Sequence, residues 1–268
     1  MSNHIPEGLV VVTGASSGIG ASYAERLAAK GRPLLLVARR EDRLSALQAN
    51  LHERFGVPVD TLIADLEDSR DLEVLEARLS QGGIAMLVNN AGAGGLVPMK
   101  SATNEQLERI IRLNVLALTR LSRAALQSFQ GSGAGVLVNI GSVAAFSPFA
   151  GGSAYSGSKA YVLNFTRSLQ AEYAKTAIRV QLVMPGPIRT EFFSSQGLTD
   201  AVFPAESYVS AEALVDAALK GLEAGEDVTT PTLAHENIWE KLEEDRRAFM
   251  GDTFSGNIHE RYLAHASA

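Results

Sequence analysis

Along the chain, short aliphatic runs alternate with longer stretches in which apolar residues recur every three or four positions. Leu9–Thr13, Leu34–Ala38, Val57–Ala64, Ile84–Asn89, Gly135–Ile140 and Arg179–Val183 are nearly continuous apolar runs. Runs of this kind suit strands covered on both faces, as in a parallel sheet. Between them the spacing predicts helices over 18–30, 41–54, 69–80, 104–129 and 153–175. Asp68-Ser69 and Thr103-Asn104 open two of these with capping side chains and acidic residues in the first turn. Gly31, Gly56 and Gly82-Gly83 stand just past helix ends, where C-terminal caps belong. A helix over 210–223 and a short strand near 227–233 follow, and Glu236–Arg247 has a solvated helical face. Residues 190–208 show no clear period. The alternation predicts an α/β fold: a Rossmann-type, doubly wound parallel sheet in a three-layer sandwich with right-handed crossovers. No linker or repeat divides the sequence, so it reads as one domain over 1–268, with 190–225 as a substrate loop or lid.

The stretch 104–129 departs from an ordinary surface helix. Leu107, Ile110, Ile111, Leu113, Val115, Leu118, Leu121 and Ala125 cover more than half of its circumference, wider than the ~100° stripe one covered face requires. Two readings stand: a helix buried between sheet and loops, or a subunit interface.

Composition removes several kinds of function. The 268 residues include no cysteine, which excludes disulfide scaffolds, thiolate zinc sites and cysteine nucleophiles. The five histidines lack HxH or HxxxH spacing, so no metal site is expected. A net charge of -6 argues against a nucleic-acid surface. No apolar run approaches the ~20 residues of a membrane span, and the N-terminus lacks the pattern of a signal peptide. A cytoplasmic location is expected.

The first strand runs into Thr13-Gly14-Ala15-Ser16-Ser17-Gly18-Ile19-Gly20, and the first helix starts there. Gly14 permits a sharp turn, Gly18 lets a pyrophosphate approach the backbone, and Gly20 allows close helix packing. The helix N-terminus then presents unpaired N–H groups to a phosphate. The same residues spell G-x-S-x-G, the nucleophile elbow of α/β-hydrolases, with Ser16 as the nucleophile. That alternative lacks an oxyanion loop, and its strand comes too early in the chain. The second strand ends Ala38-Arg39-Arg40, with no carboxylate at its tip to bind a ribose 2′-hydroxyl. A guanidinium there suits a 2′-phosphate, so Arg39 favours NADP(H) over NAD(H), while Arg40 reads as a solvated charge.

Four further positions fall at strand ends or on helices: Asn89-Asn90-Ala91-Gly92, Asn114, Ser142 and Tyr155-Ser156-Gly157-Ser158-Lys159. Tyr155 and Lys159 are one helical turn apart and share a face. A free tyrosine has a pKa near 10, poor for proton transfer at neutral pH, and a neighbouring ammonium lowers it. Small residues surround the pair within the uncharged stretch Ala124–Ser158, leaving room for a ligand.

Taken in order, TGxxxGxG, NNAG, Asn114, Ser142, YxxxK and Pro185-Gly186-Pro187-Ile188-Arg189-Thr190 resemble the short-chain dehydrogenase/reductase family, over about residues 8–190. The resemblance implies hydride transfer between a nicotinamide and a carbonyl or alcohol. It implies that Tyr155 is the general acid/base and that Ser142 stabilises the developing alkoxide. Lys159 would bind the nicotinamide ribose, and Asn114 would hold a water relaying protons to it. Asp65 and Leu66 take the adenine position. Asn90, Ala91 and Gly92 border the adenosine ribose and the nicotinamide. Pro185, Gly186, Ile188 and Thr190 hold the carboxamide and diphosphate. Phe192, Phe193, Val202 and Phe203 suggest an apolar lid, and Val143, Phe146, Phe149 and Ala150 a facing wall. The expected substrate is therefore an apolar, medium-sized ketone or aldehyde. Family likeness also implies a homodimer or homotetramer through helices 104–129 and 153–175. A non-catalytic nucleotide sensor with the same fold is the alternative, disfavoured by the complete Ser142, Tyr155 and Lys159 set.

Overall fold

A computed structural model of the protein describes residues 4–192, 203–235 and 237–263. The chain divides into two compact units, residues 1–232 and 233–268. The first alternates strand and helix: β1 (Leu9–Thr13), α1 (Gly18–Ala29), β2 (Leu34–Ala38), α2 (Glu41–Phe55), β3 (Val59–Ile63), α3 (Ser69–Ser80) and β4 (Ile84–Asn89). It continues with α4 (Asn104–Ile111), a π-helical turn at Arg112–Ala117, α5 (Leu118–Ser132), β5 (Gly135–Ile140), α6 (Ser153–Tyr173) and β6 (Ile178–Val183). The short strands β7 (Ile188–Arg189) and β8 (Val209–Ser210) pair with each other, and α7 (Ala211–Ala224) and β9 (Val228–Thr229) complete the unit.

The main sheet is parallel and has seven strands in the order β3-β2-β1-β4-β5-β6-β9. Its register sets Val12 against Leu36 on one side and against Val88 on the other. Successive side chains point to opposite faces. Val10, Val12, Leu36 and Val88 therefore pack in one core cluster with α1 and α7. Val11, Leu35, Val37 and Leu87 pack in the other with α3 and α5. Burial on both faces explains the unbroken apolar strands. Each such Val or Leu contributes roughly 1.5–3 kcal/mol when fully covered.

The cap signals act as their residues suggest. Asp68 accepts the N–H groups of Arg70 and Asp71, and Thr103 forms a reciprocal capping box with Gln106. Gly56 ends α2 in the left-handed conformation, with φ 67°. The stretch 104–129 is not one regular helix. Its π-helical turn carries Leu113, Asn114 and Ala117 inward, while Ile111 and Leu116 remain 48% and 46% exposed. Part of its wide apolar surface is thus core, and part is open.

The chain reverses direction across the sheet at β1, which has β2 on one side and β4 on the other. Ligand clefts of doubly wound folds lie outside the strand tips at this reversal. In the second unit, α8 (Asn237–Thr253) has no buried residue and carries a Lys241–Asp245 ion pair at 3.2 Å. It extends the charged helix read from 236–247. Among the described residues, no helix is long and apolar enough to cross a membrane.

Candidate active site

The tips of β1 and β4 are fastened together by side-chain hydrogen bonds. The Thr13 hydroxyl accepts from the backbone N–H groups of Asn90 and Ala91, each at 3.0 Å. The Asn90 amide returns a bond to the Thr13 carbonyl at 2.9 Å. Gly14 and Gly18 have φ of 65° and 53°, which favour glycine. A Cβ on Gly20 would collide with the Gly14 carbonyl, so its glycine lets α1 close onto the loop.

A cavity of about 830 Å3 opens above these tips. Gly14, Ser16, Ser17, Gly18, Ile19, Arg39, Asp65 and Leu66 line one end. Asn90, Ala91, Gly92, Ser142, Tyr155, Lys159, Pro185, Gly186, Ile188 and Thr190 line the rest. Every candidate site residue thus borders it except Gly20 and Asn114, which are buried beside it. Bare glycine backbone, hydroxyls and arginines at one end form a cradle that fits a phosphorylated dinucleotide.

At the other end, Tyr155 and Ser142 line the cavity together, and the Tyr155 ring lies 5.6 Å from that of Phe192. Burial raises the Tyr155 pKa above its ordinary value, and the neighbouring Ser142 hydroxyl pulls it partly back. This corrects the expectation that Lys159 lowers it. The Lys159 ammonium stands 5.9 Å from the centre of the Tyr155 ring and donates to the Ile140 carbonyl at 3.0 Å. Burial brings Lys159 itself down to about 8.

Asn114 has its amide fully engaged. Its Oδ1 accepts from the Ala93 N–H at 2.8 Å, and its Nδ2 donates to the Ala93 carbonyl and to Ser158 Oγ. Ser158 in turn donates to the Tyr155 carbonyl at 2.7 Å. The side chain thus joins the β4 tip to the first turns of α6. The π-helical turn delivers it there, in keeping with the frequent placing of such turns at functional sites.

The strand-tip arginines divide differently from expectation. Arg39 turns to Asp65 and Glu67, at 3.4 and 3.2 Å. Arg40 folds over the glycine loop, donating to Ser16 Oγ at 2.9 Å and to Ser17 Oγ at 2.7 Å. Arg40 and Arg109 both line the cavity and were not among the expected site residues. The double arginine was the available signal for Arg40. Ser16 meets this guanidinium, and among the described residues no histidine lines the cavity, so nothing supports a hydrolytic serine. On the facing walls, Val143, Phe149, Ala150, Phe192 and Phe203 border the cavity, whereas Phe146 is not among its lining. Phe193 and Val202 lie outside the described residues.

A parallel sheet with a glycine-rich loop and a long cleft at its chain reversal defines a dinucleotide-binding protein. The short chain dehydrogenase model matches residues 8–200. The fold is similar to a short-chain dehydrogenase from Sphingobium yanoikuyae in complex with NADPH: TM-score 0.91, 42% identity, covering 95% of this chain and 100% of that one. It is also similar to the bulky-bulky ketone specific alcohol dehydrogenase from Comamonas testosteroni: TM-score 0.87, 36% identity, covering 96% and 98%. The very-long-chain 3-oxoacyl-CoA reductase of Anas platyrhynchos is 33% identical over 186 residues, which span 68% of this chain and 60% of that relative's length. The chain belongs to the short-chain dehydrogenase/reductase family, oxidoreductases acting on CH–OH and C=O groups.

Proposed function

We propose that the protein reduces apolar ketones or aldehydes with NADPH, using Tyr155 as the proton donor. The observation that carries this reading is the Ser142–Tyr155 pair, set at one end of the cavity among Val143, Phe149, Ala150, Phe192 and Phe203. An aliphatic and aromatic wall favours a carbonyl flanked by apolar groups over a charged keto acid. The likeness to an alcohol dehydrogenase specific for bulky-bulky ketones points the same way.

A nicotinamide bound in the cleft would supply the hydride. The chain's own residues supply the rest. A tyrosine is protonated near neutrality with or without burial, so Tyr155 can donate to a forming alkoxide. Ser142 can hydrogen-bond the same oxygen and stabilise its charge. Lys159, with its pKa brought down to about 8, stands one turn further along α6, ready to bond ribose hydroxyls and return a proton toward Tyr155. Asn114 fixes the turn that carries both by tying Ala93 to Ser158. Pro185, Gly186, Ile188 and Thr190 face the nicotinamide end, and Asp65 and Leu66 the adenine end. Arg39 remains the candidate at the adenosine ribose, now with Arg40 as the nearer partner of the phosphate loop.

The substrate loop belongs to 190–225, within a single functional domain spanning 1–268. Open apolar residues on α4, the π-helical turn and α6 (Ile111, Leu116, Tyr161) favour a homodimer or homotetramer built on those helices, in the cytoplasm.

The test is Tyr155→Phe. Turnover of a bulky apolar ketone falls by about 10²–10⁴-fold, the usual weight of a positioned general acid, while NADPH still quenches or shifts its fluorescence on binding. Retained turnover would remove Tyr155 from the donor role. Faster turnover of small charged keto acids than of apolar ketones would overturn the substrate class.

A further inference from the structure

The segment after β7 reaches back over the cleft and is held by charge. The Glu191 carboxylate accepts from Arg40 Nη1 at 2.9 Å, and both of its oxygens accept from Arg43 Nη1 at 2.8 Å. The opposite edge of the same Arg40 guanidinium lies on Ser16 and Ser17. One cation thus joins the phosphate loop, the β2 tip and the segment leading into the substrate loop. The next residue, Phe192, packs against the Tyr155 ring.

We propose that Glu191 is a cofactor-specificity residue: its carboxylate holds the anion place on Arg40 and Arg43 for which a cofactor 2′-phosphate competes. This rests on the NADP reading above. A 2′-phosphate brings about two negative charges and three acceptor oxygens to a guanidinium that already carries one carboxylate. Two anions on one arginine repel, so the phosphate must displace Glu191 or bind beside it at a cost. Displacement is cheap, because these side chains are 40–49% exposed and such pairs are weak. A ribose hydroxyl has no charge with which to displace it. NADPH would therefore release residues 190–192 from Arg40, and NADH would leave them tied.

Glu191→Gln keeps the size and the acceptor oxygen but removes the rival charge, at a site too exposed to threaten folding. Wild type and variant are titrated with NADPH, NADH, 2′,5′-ADP and 5′-AMP. The variant should bind NADPH and 2′,5′-ADP about fivefold tighter, and NADH and 5′-AMP within about twofold of wild type. An unchanged or smaller preference for the phosphorylated ligands overturns the proposal. So does an equal gain for all four, which would mark a loosened segment and nothing more. The wild-type titration separates the two readings. If wild type binds NADPH no tighter than NADH, the NADP reading fails. If that preference exists but Glu191→Gln leaves it unmoved, only the role of Glu191 fails.

Discussion

At the Tyr155 end of the cleft the polar groups are buried or half-buried, and most are held by a backbone atom or a single neighbour. At the Arg40 end they are exposed and shared among several side chains. Lys159 is 8% exposed and bonds the Ile140 carbonyl, and Asn114 is 1% exposed and bonds both backbone groups of Ala93. Arg39 is 51% exposed and divides itself between Asp65 and Glu67, and Glu67 also takes Arg109 at 3.0 Å. A buried polar group must find its partner or cost about 1–3 kcal/mol, so its place is fixed before a ligand arrives. An exposed ion pair is worth less than about 1 kcal/mol, so its partners can be exchanged when a ligand brings charge. One end is arranged for fixed chemistry, the other for recognition by exchange.

The contrast is sharpest at Ser142. Ser142→Ala removes one donor from the developing alkoxide and should lower kcat by about 10²–10³-fold. NADPH affinity at the distant Arg40 end should stay within about twofold. Steady-state kinetics with an apolar ketone and a parallel cofactor titration check both halves. A variant that lost cofactor affinity as severely as turnover would show that the two ends are not separable.

A second break falls on the stability of the fold. Burial lowers the Lys159 pKa from 10.5 to about 8. Below about pH 8 the ammonium is charged in both states, and the folded state bears its full burial cost. Between about pH 8 and 10 the folded protein sheds this proton while the unfolded chain keeps it. The unfolded state then binds more protons, so stability rises with pH. The raised Tyr155 acts in the opposite sense only from about pH 10 upward. Lys159→Met should therefore stabilise the protein at pH 7 by about 3 kcal/mol and flatten the rise, while abolishing turnover. Urea unfolding at pH 7 and pH 9.5 measures it. An unchanged slope would mean that Lys159 titrates normally in the folded protein.

The same contrast explains what could be read from the chain. The apolar strands, the caps at Asp68 and Thr103 and the spacing of Tyr155 from Lys159 are local rules, and the fold obeys them. Asn114 could be marked as a polar residue at an apolar point. Its partners could not be named, because a π-helical turn shifts the phase of the helix and nothing local in Arg112–Ala117 announces one. The direction of the Tyr155 shift was also hidden. Helical spacing placed an ammonium nearby, but burial is a property of the whole cleft, and it is the largest influence on the Tyr155 hydroxyl.

The smallest expected effect tests the exposed end, where the sequence cannot rank two neighbouring arginines. Arg39 and Arg40 are adjacent, alike in chemistry and both at the β2 tip, so composition cannot rank them. The fold does so through their alternate directions: Arg39 turns to the acidic pair Asp65 and Glu67, and Arg40 to the loop hydroxyls. A guanidinium shared between two carboxylates has less field to offer a phosphate than one that rests on serines and carries the single exposed carboxylate of Glu191. Arg40→Ala should then weaken NADPH binding by about tenfold, or 1.4 kcal/mol, and NADH binding by much less. Arg39→Ala should cost NADPH only about twofold to threefold, within the range of an exposed pair. Fluorescence titration of both variants at fixed ionic strength decides the order, since salt weakens every term at this end of the cleft. If Arg39→Ala proves the costlier change, the 2′-phosphate lies on the Asp65 side, and Arg40 serves chiefly to hold Ser16 and Ser17 in place.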